Sequence, residues 1–195
     1  MNRERDRLAA IEKANEILKN APVYLDTETT GFGPTDEVID IAVIGDNGNV
    51  LFDSLVRPTT DIPYEASRIH HITNSMVANA PDFASIFDRL MDATRSKVVA
   101  IYNEEFDIRL LRQTARKHGI PWSGTTVRST CVMELYARYY GDWSDYHRSY
   151  TWQSLENAGK QMSINLPNSH RAKDDALLAR AVVMRMASLS VEEPF

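Results

Sequence analysis

Asp26 and Glu28 are separated by one residue in the stretch Val23-Tyr24-Leu25-Asp26-Thr27-Glu28-Thr29-Thr30-Gly31. Its first half is β-branched, aromatic and aliphatic, which reads as a buried strand, and Gly31 breaks it. Alternate residues of a strand share a face, so the two carboxylates project the same way, about two residues' rise apart. Carboxylates held side by side repel each other unless a cation or a proton lies between them. Hard divalent cations such as Mg²⁺ and Mn²⁺ take oxygen ligands of this kind. Taken alone, an Asp-x-Glu is better explained as a solvated pair near a strand end; the weight comes from the rest of the chain.

Asp107 follows the apolar run Val98–Tyr102 and falls in the first turn of the next helix, while Asp174 and Asp175 open the last helix just after His170. Each has a simple alternative explanation, since acids at a helix start are favoured by the helix dipole. Strand ends and the helix starts beside them are, however, where open α/β sheets gather functional groups. Asp26, Glu28, Asp107 and one of the last two aspartates converging on one crevice could stay ionised only with cations among them. Two divalent ions about 4 Å apart support in-line attack of water on a phosphodiester, and His170 is suited to take the proton of that water. Asp174, four residues after His170, would share its face if both were helical; Asp175 fits if His170 lies in the loop before the helix.

The elements that must position these groups follow from periodicity. Residues 4–20 read as an amphipathic helix with Leu8, Ile11, Ala14 and Leu18 on one face. Val38–Ile44 and Val50–Val56 flank Asp46-Asn47-Gly48-Asn49, a hairpin turn signal. Helices are expected at Tyr64–His70, Ala84–Ala93, Glu104–Lys117, Val132–Tyr140, Thr151–Gln161 (capped by Thr151) and Arg171–Ser190, with strands at Lys97–Tyr102 and Thr126–Thr130. Gly141–Tyr150 reads as a surface excursion. An antiparallel meander followed by strands alternating with helices implies an α/β fold of ribonuclease-H-like type, a mixed sheet flanked by helices. The expected organisation is a helical extension over residues 1–20 packed on a single domain over 21–190.

Composition narrows the function. The chain has 195 residues, a formal charge of −5 and one cysteine, Cys131. Nothing here offers a broad basic surface for a long duplex, so a nucleic-acid substrate would have to be gripped at a small site with cations supplying positive charge. A single cysteine excludes an internal disulfide, and no segment approaches transmembrane length; the expectation is an intracellular, cytoplasmic protein without membrane attachment.

Asp26-Thr27-Glu28-Thr29-Thr30-Gly31, Asn103-x-x-Phe106-Asp107 and His170-x-Ala172-x-x-Asp175 resemble, in order and separation, the three motifs of the DEDDh (DnaQ-like) 3′-5′ exonuclease family. Ile69-His70-His71-Ile72-Thr73 followed by Ala80-Pro81-x-Phe83 resembles a further stretch of that family, so the likeness covers about residues 22–187. The resemblance implies two divalent metal ions, Mg²⁺ or Mn²⁺. Asp26 would bridge them, Glu28 and Asp175 would hold the water-activating ion, Asp107 would hold the second, and His170 would be the general base. It favours Asp175 over Asp174. It also implies that Thr29 contacts the 3′-terminal nucleotide, that Ile69, His70 and Phe106 hold the terminal base, and that Asn103 orients the site. For Ile69 and Phe106 plain core packing is an equal explanation.

Two positions depart from the family pattern: Tyr102 stands where His is frequent, and His71 replaces a glycine. Neither removes an expected metal ligand; His71 is expected on the surface. Met133, Met162, Met184 and Met186 read as core filler, and His118 as a cation at a helix C-terminus. Among the aromatic residues, Trp143 and Tyr146 are the best placed to stack single-stranded bases, with Arg138, Arg148 and Arg171 as phosphate contacts.

The leading expectation is a metal-dependent exonuclease releasing nucleoside monophosphates from single-stranded 3′ ends, of DNA or RNA. It would act as a stand-alone enzyme, a homodimer, or beside a polymerase or repair partner. A silent binding subunit with the same fold is the alternative, disfavoured because all five catalytic-type residues are present. An endonuclease of ribonuclease H type would want a duplex groove that the acidic balance does not suggest.

Overall fold

The computed structural model describes residues 3–122 and 127–189. A helix, α1 (Arg3–Lys19), precedes three strands, β1 (Val23–Thr29), β2 (Val38–Gly45) and β3 (Val50–Leu55). Then come α2 (Tyr64–His70), the single turn α3 (Asn74–Val77), α4 (Phe83–Thr94), β4 (Val98–Ile101) and α5 (Glu104–Lys117). The chain continues through β5 (Arg128–Cys131), α6 (Val132–Tyr140), a two-residue-per-strand hairpin of β6 (Trp143–Ser144) and β7 (Ser149–Tyr150), α7 (Leu155–Gln161) and α8 (Ala172–Ser188).

The five-stranded sheet runs β3-β2-β1-β4-β5, with β1 antiparallel to β2 and parallel to β4. This is the mixed, ribonuclease-H-like sheet expected from the meander and the later alternation. The hairpin turn sits at Asp46–Asn49, where Gly48 takes φ +83° and Gly45 N–H donates to the Asn49 carbonyl at 2.8 Å.

Strands buried on both faces divide their side chains between two cores. Tyr24, Ile44, Ala100 and Tyr102 pack under α1, α6, α7 and α8. Val23, Leu25, Val43, Val99 and Ile101 point the other way, under α4 and α5. The period of two therefore sends Tyr24, Asp26 and Glu28 toward the α8 side and Thr27 toward α5. A third small core of Ile39, Ile62, Ile72 and Val77 fastens the irregular 57–82 segment to the sheet. Full burial of each such aliphatic side chain contributes about 1.5–3 kcal/mol.

Several boundaries differ from the sequence expectation. The inward face of α1 is Ala10, Ile11, Ala14 and Ile17, with Leu8 exposed, because α6 and α8 meet the helix about one residue round from the apolar stripe. Helix α7 begins at Leu155, not Thr151. Thr151 N–H instead donates to the Asp142 carbonyl at 2.7 Å, prolonging the β6–β7 hairpin, and the Ser154 hydroxyl caps the helix by accepting from Asn157 N–H at 3.1 Å. Strand β5 runs one residue further than expected, and Thr126 and Ser190 lie outside the described residues. Met184 is exposed rather than core. His118 does more than close a helix, since its Nε2 lies 3.4 Å from the buried Glu37 carboxylate.

Candidate active site

Three elements deliver the acidic groups to one place. Strand β1 carries Asp26 and Glu28 at its C-terminal end, opposite Ala42 and Asp40 of β2. Leu25, just before them, pairs with Ile101, the last residue of β4, so α5 starts beside the end of β1 and brings Asp107 with its first turn. Helix α8, packed across the other face of the sheet, presents Asp175. Asp26, Glu28, Asp107, Asp175 and His170 all line one open cleft of about 260 Å³.

Asp107 and Asp175 are held by hydrogen bonds. The Thr27 hydroxyl donates to Asp107 Oδ1 at 2.7 Å. Asn168 Nδ2 donates to Asp175 Oδ2 at 2.9 Å, and Ser169 N–H donates to Asp175 Oδ1 at 3.2 Å. Asp174 is turned out of the cleft and accepts from the Ser169 hydroxyl at 2.6 Å. His170 sits in the loop before α8 with φ +51°, exposed, so the geometry is the one in which Asp175 is the inward acid. Arg171, the next residue, donates from Nε to the buried Asp40 at 2.8 Å and is thereby held as a structural partner.

Burial and mutual repulsion set the electrostatics. Burial, followed by the charges of Asp107 and Glu28, drives the Asp26 carboxyl far above its ordinary range. Glu28 is pushed up to about 8, by burial first and by Asp175 and Asp40 next, with Arg171 acting in the opposite sense. Burial pushes Asp107 to about 7 against the Thr27 hydrogen bonds, and Asp175 to about 7 against the Ser169 amide. Clustered carboxyls with raised pKa values are candidates for a functional site. The donor set suits hard divalent cations: oxygen ligands crowded together need positive charge, and Glu28, His170 and Asp175 each bring one ligand atom to within 4.8 Å of the others.

The residues expected to contact substrate divide into two groups. Asn103 and Phe106 line the cleft. Thr29, Ile69 and His70 do not; His70 lies near Thr29 and His170. The Thr29 hydroxyl is turned to the Gly31 carbonyl at 2.8 Å, and Ile69 is 45% exposed. His70 is buried; its Nδ1 accepts from Ile72 N–H at 3.0 Å, while its Nε2 has no partner of normal hydrogen-bond geometry. Burial pushes the His70 imidazole below its ordinary value, against the Thr29 backbone, which acts the other way.

Sequence reasoning passed over several residues that the fold brings here. Phe32 is 74% exposed and packs its ring 5.7 Å from that of Phe106 at the cleft edge. Asn168 and Thr27 hold ligand-type carboxylates, and Ser154 and Glu156 also line the cleft. Thr27 had a signal, being the residue between the two acids that must face the other side of the sheet. Tyr102, in place of the frequent His, is buried with its hydroxyl donating to the Gln153 carbonyl at 2.9 Å, and so ties β4 to the segment leading into α7. His71 occupies a left-handed helix end at φ +59°, which accounts for a glycine in the family pattern.

The family model described as Exonuclease (RNase_T) matches residues 23–183. The chain belongs to this exonuclease family. It is 33% identical over 181 residues to an exonuclease of Escherichia phage 186, covering 90% of this chain and 93% of that protein. It is 30% identical to the DNA polymerase III subunit epsilon of Treponema pallidum, over 77% of this chain and 69% of the relative. Similarity to the PolC-type DNA polymerase III of Thermotoga maritima is 26% over 86% of this chain but only 12% of that much longer protein. Among solved structures, exonuclease X in complex with 5′-overhanging duplex DNA superposes with a TM-score of 0.62 at 24% identity, covering 87% of this chain and 95% of that one. The nuclease domain of 3′hExo, a DEDDh family member bound to rAMP, superposes with a TM-score of 0.67 at 15% identity, covering 86% and 91%. Both show the same fold. Among the described residues no helix is long and apolar enough to cross a membrane.

Proposed function

We propose that this protein is a metal-dependent 3′-5′ exonuclease that releases nucleoside monophosphates one at a time from single-stranded 3′ ends, DNA being the favoured polymer. The observation that carries this reading is the meeting of Asp26, Glu28, Asp107, Asp175 and His170 in a single cleft of about 260 Å³. That volume lies just below the usual range for ligand pockets and is of the order of a terminal nucleotide.

In this reading Asp26, Glu28, Asp107 and Asp175 would hold two divalent ions, Mg²⁺ or Mn²⁺. The chemistry the ions supply when bound is Lewis-acid activation of water and neutralisation of charge on the phosphate. His170, exposed at the cleft mouth beside Glu28 and Asp175, takes the proton of the attacking water. Attack on phosphorus breaks the bond to the 3′ oxygen of the penultimate nucleotide and frees the terminal monophosphate. Phe106 and Asn103 form the cleft wall that receives the terminal base, with Thr29, Ile69 and His70 shaping the adjoining edge. A cytoplasmic setting and service beside a DNA polymerase or repair protein fit the epsilon-type relatives.

The test is hydrolysis of single-stranded DNA and RNA oligonucleotides with Mg²⁺, Mn²⁺ or EDTA, by the protein and by Asp26→Ala and His170→Ala. Activity that EDTA and Asp26→Ala abolish, and that His170→Ala lowers by about 10²–10⁴-fold, supports the reading. Activity unchanged by both substitutions would remove the cleft from the chemistry, and no hydrolysis under any metal would leave a binding subunit.

A further inference from the structure

Next to the cleft lies a second, larger hollow of about 470 Å³, between the β6–β7 hairpin, α6 and α1. Its walls include Trp143, Tyr150 and Trp152, with Arg138 and Arg148 among them. The aromatic rings are arranged in two ways. Trp143 meets Tyr150 edge-on at 5.3 Å and donates from its indole to Asp145 at 3.0 Å, so it is framework. Trp152 is 63% exposed, a large apolar plane left in water. Both arginines are exposed, and Arg148 is presented from a left-handed backbone at φ +52°. Two acids also border the hollow, Asp6 and Glu134, but the Asp6 carboxylate is taken up by the Tyr150 hydroxyl at 2.7 Å.

The hollow and the active cleft are linked through a short stretch of chain. Trp152 borders the one and Ser154 borders the other, so their Cα atoms lie within about 7 Å by chain reach. The connecting backbone is fixed at both sides. Thr151 N–H bonds Asp142, the Gln153 carbonyl accepts from Tyr102, and Ser154 caps α7. A flat aromatic face flanked by guanidinium groups is the surface that single-stranded nucleic acid uses: bases stack on the ring and phosphates meet the cations.

We propose that this hollow is a second nucleotide-binding subsite, in which Trp152 stacks a base of the substrate strand upstream of its 3′ terminus while Arg148 and Arg138 meet its phosphates. The proposal rests on the nuclease reading for the strand's direction, but not for its binding. It makes the protein prefer strands long enough to span both sites over dinucleotides that fill the cleft alone.

The experiment compares a dinucleotide with a decamer, as DNA and as RNA, for the protein and for Trp152→Ala, Arg148→Ala and Trp152→Phe. Arg95→Ala, at an exposed arginine paired with Asp92, is the control. Steady-state KM is measured with Mg²⁺, and binding of a fluorescent decamer by anisotropy in EDTA. Trp152→Ala is expected to raise KM for the decamer on the order of tenfold relative to the dinucleotide, with kcat little changed, and to weaken decamer binding similarly. Trp152→Phe should recover most of both, and Arg148→Ala should weaken decamer binding and reduce its salt dependence. Equal loss on dinucleotide and decamer, or decamer binding unaffected by Trp152→Ala, would overturn the subsite. If the protein hydrolyses nothing, the nuclease reading fails, and the anisotropy still decides the subsite. The DNA and RNA arms show which polymer it takes.

Discussion

Asp40, directly opposite Glu28 in the β1–β2 ladder, accepts a 2.8 Å hydrogen bond from Nε of Arg171, the residue that follows His170. The same carboxylate oxygen lies 3.4 Å from the Ala172 amide at the first turn of α8. One buried acid thus fixes the start of the helix that carries Asp175 and the loop that carries His170. Burial raises Asp40 and Arg171 acts against that rise. Arg171→Ala is therefore expected to destabilise the protein by about 1–3 kcal/mol. The loss should be larger at pH 8 than at pH 5, because the stranded carboxyl can be protonated in acid. Urea midpoints at the two pH values, with unchanged slope, check this; equal losses would mean that Asp40 does not depend on Arg171.

The raised carboxyls give a second test. Glu28 at about 8, and Asp107 and Asp175 at about 7, all stand above the values they would have unfolded. A carboxyl raised on folding adds stability below its unfolded value, and that stability is lost as pH climbs through the folded one. In EDTA the melting temperature should accordingly fall from pH 5 to pH 9, most steeply between about 5 and 7, where the folded carboxyls keep protons that the unfolded ones have lost. Mg²⁺ or Mn²⁺ should reverse the fall, since cations bind the ionised set, and should release protons on binding at pH 7. A melting temperature in EDTA that rises over this range would contradict the cleft electrostatics.

Thr27 acts on Asp107 through its hydroxyl. Its hydrogen bonds hold the Asp107 carboxyl down against burial, so Thr27→Val should raise it further. The acid limb of the pH–rate profile is expected to move to higher pH in Thr27→Val and to stay in place in Thr27→Ser. A loss of rate with no movement of the limb would assign Thr27 to packing alone.

His71 takes a left-handed conformation, φ +59°, at the end of α2, with its N–H donating to the Ser67 carbonyl at 2.9 Å. A non-glycine residue there costs about 1–2 kcal/mol, part of which returns through the unfolded chain. His71→Gly should stabilise the protein by roughly 0.5–1 kcal/mol without altering kcat. Thermal unfolding and steady-state rates together check it; a destabilised variant would show that the imidazole makes a contact worth more than the strain.

Much of this site was legible because its chemistry depends on local pattern. The strand period placed Asp26 and Glu28 on one face, and the helix start placed Asp107. The choice between Asp174 and Asp175 was not legible from periodicity, because it turns on whether His170 is helical; the loop conformation at His170 settles the direction of the side chains. Asp40 and Asn168 were invisible for a different reason. Their partners, Arg171 and Asp175, lie on elements whose approach is fixed by tertiary packing. The start of α7 was missed because Thr151 satisfies its amide in a hairpin, a competitor that a capping signal cannot rank.

The central claim is that the cleft receives a 3′ terminus and removes it stepwise. One oligonucleotide labelled at its 5′ end in one reaction and at its 3′ end in another, digested with Mg²⁺, tests it most directly. The 5′ label should appear in a ladder shortening one residue at a time, while the 3′ label should pass at once into mononucleotide. A 5′ label released first as mononucleotide would reverse the polarity, and internal fragments from both would make the protein an endonuclease.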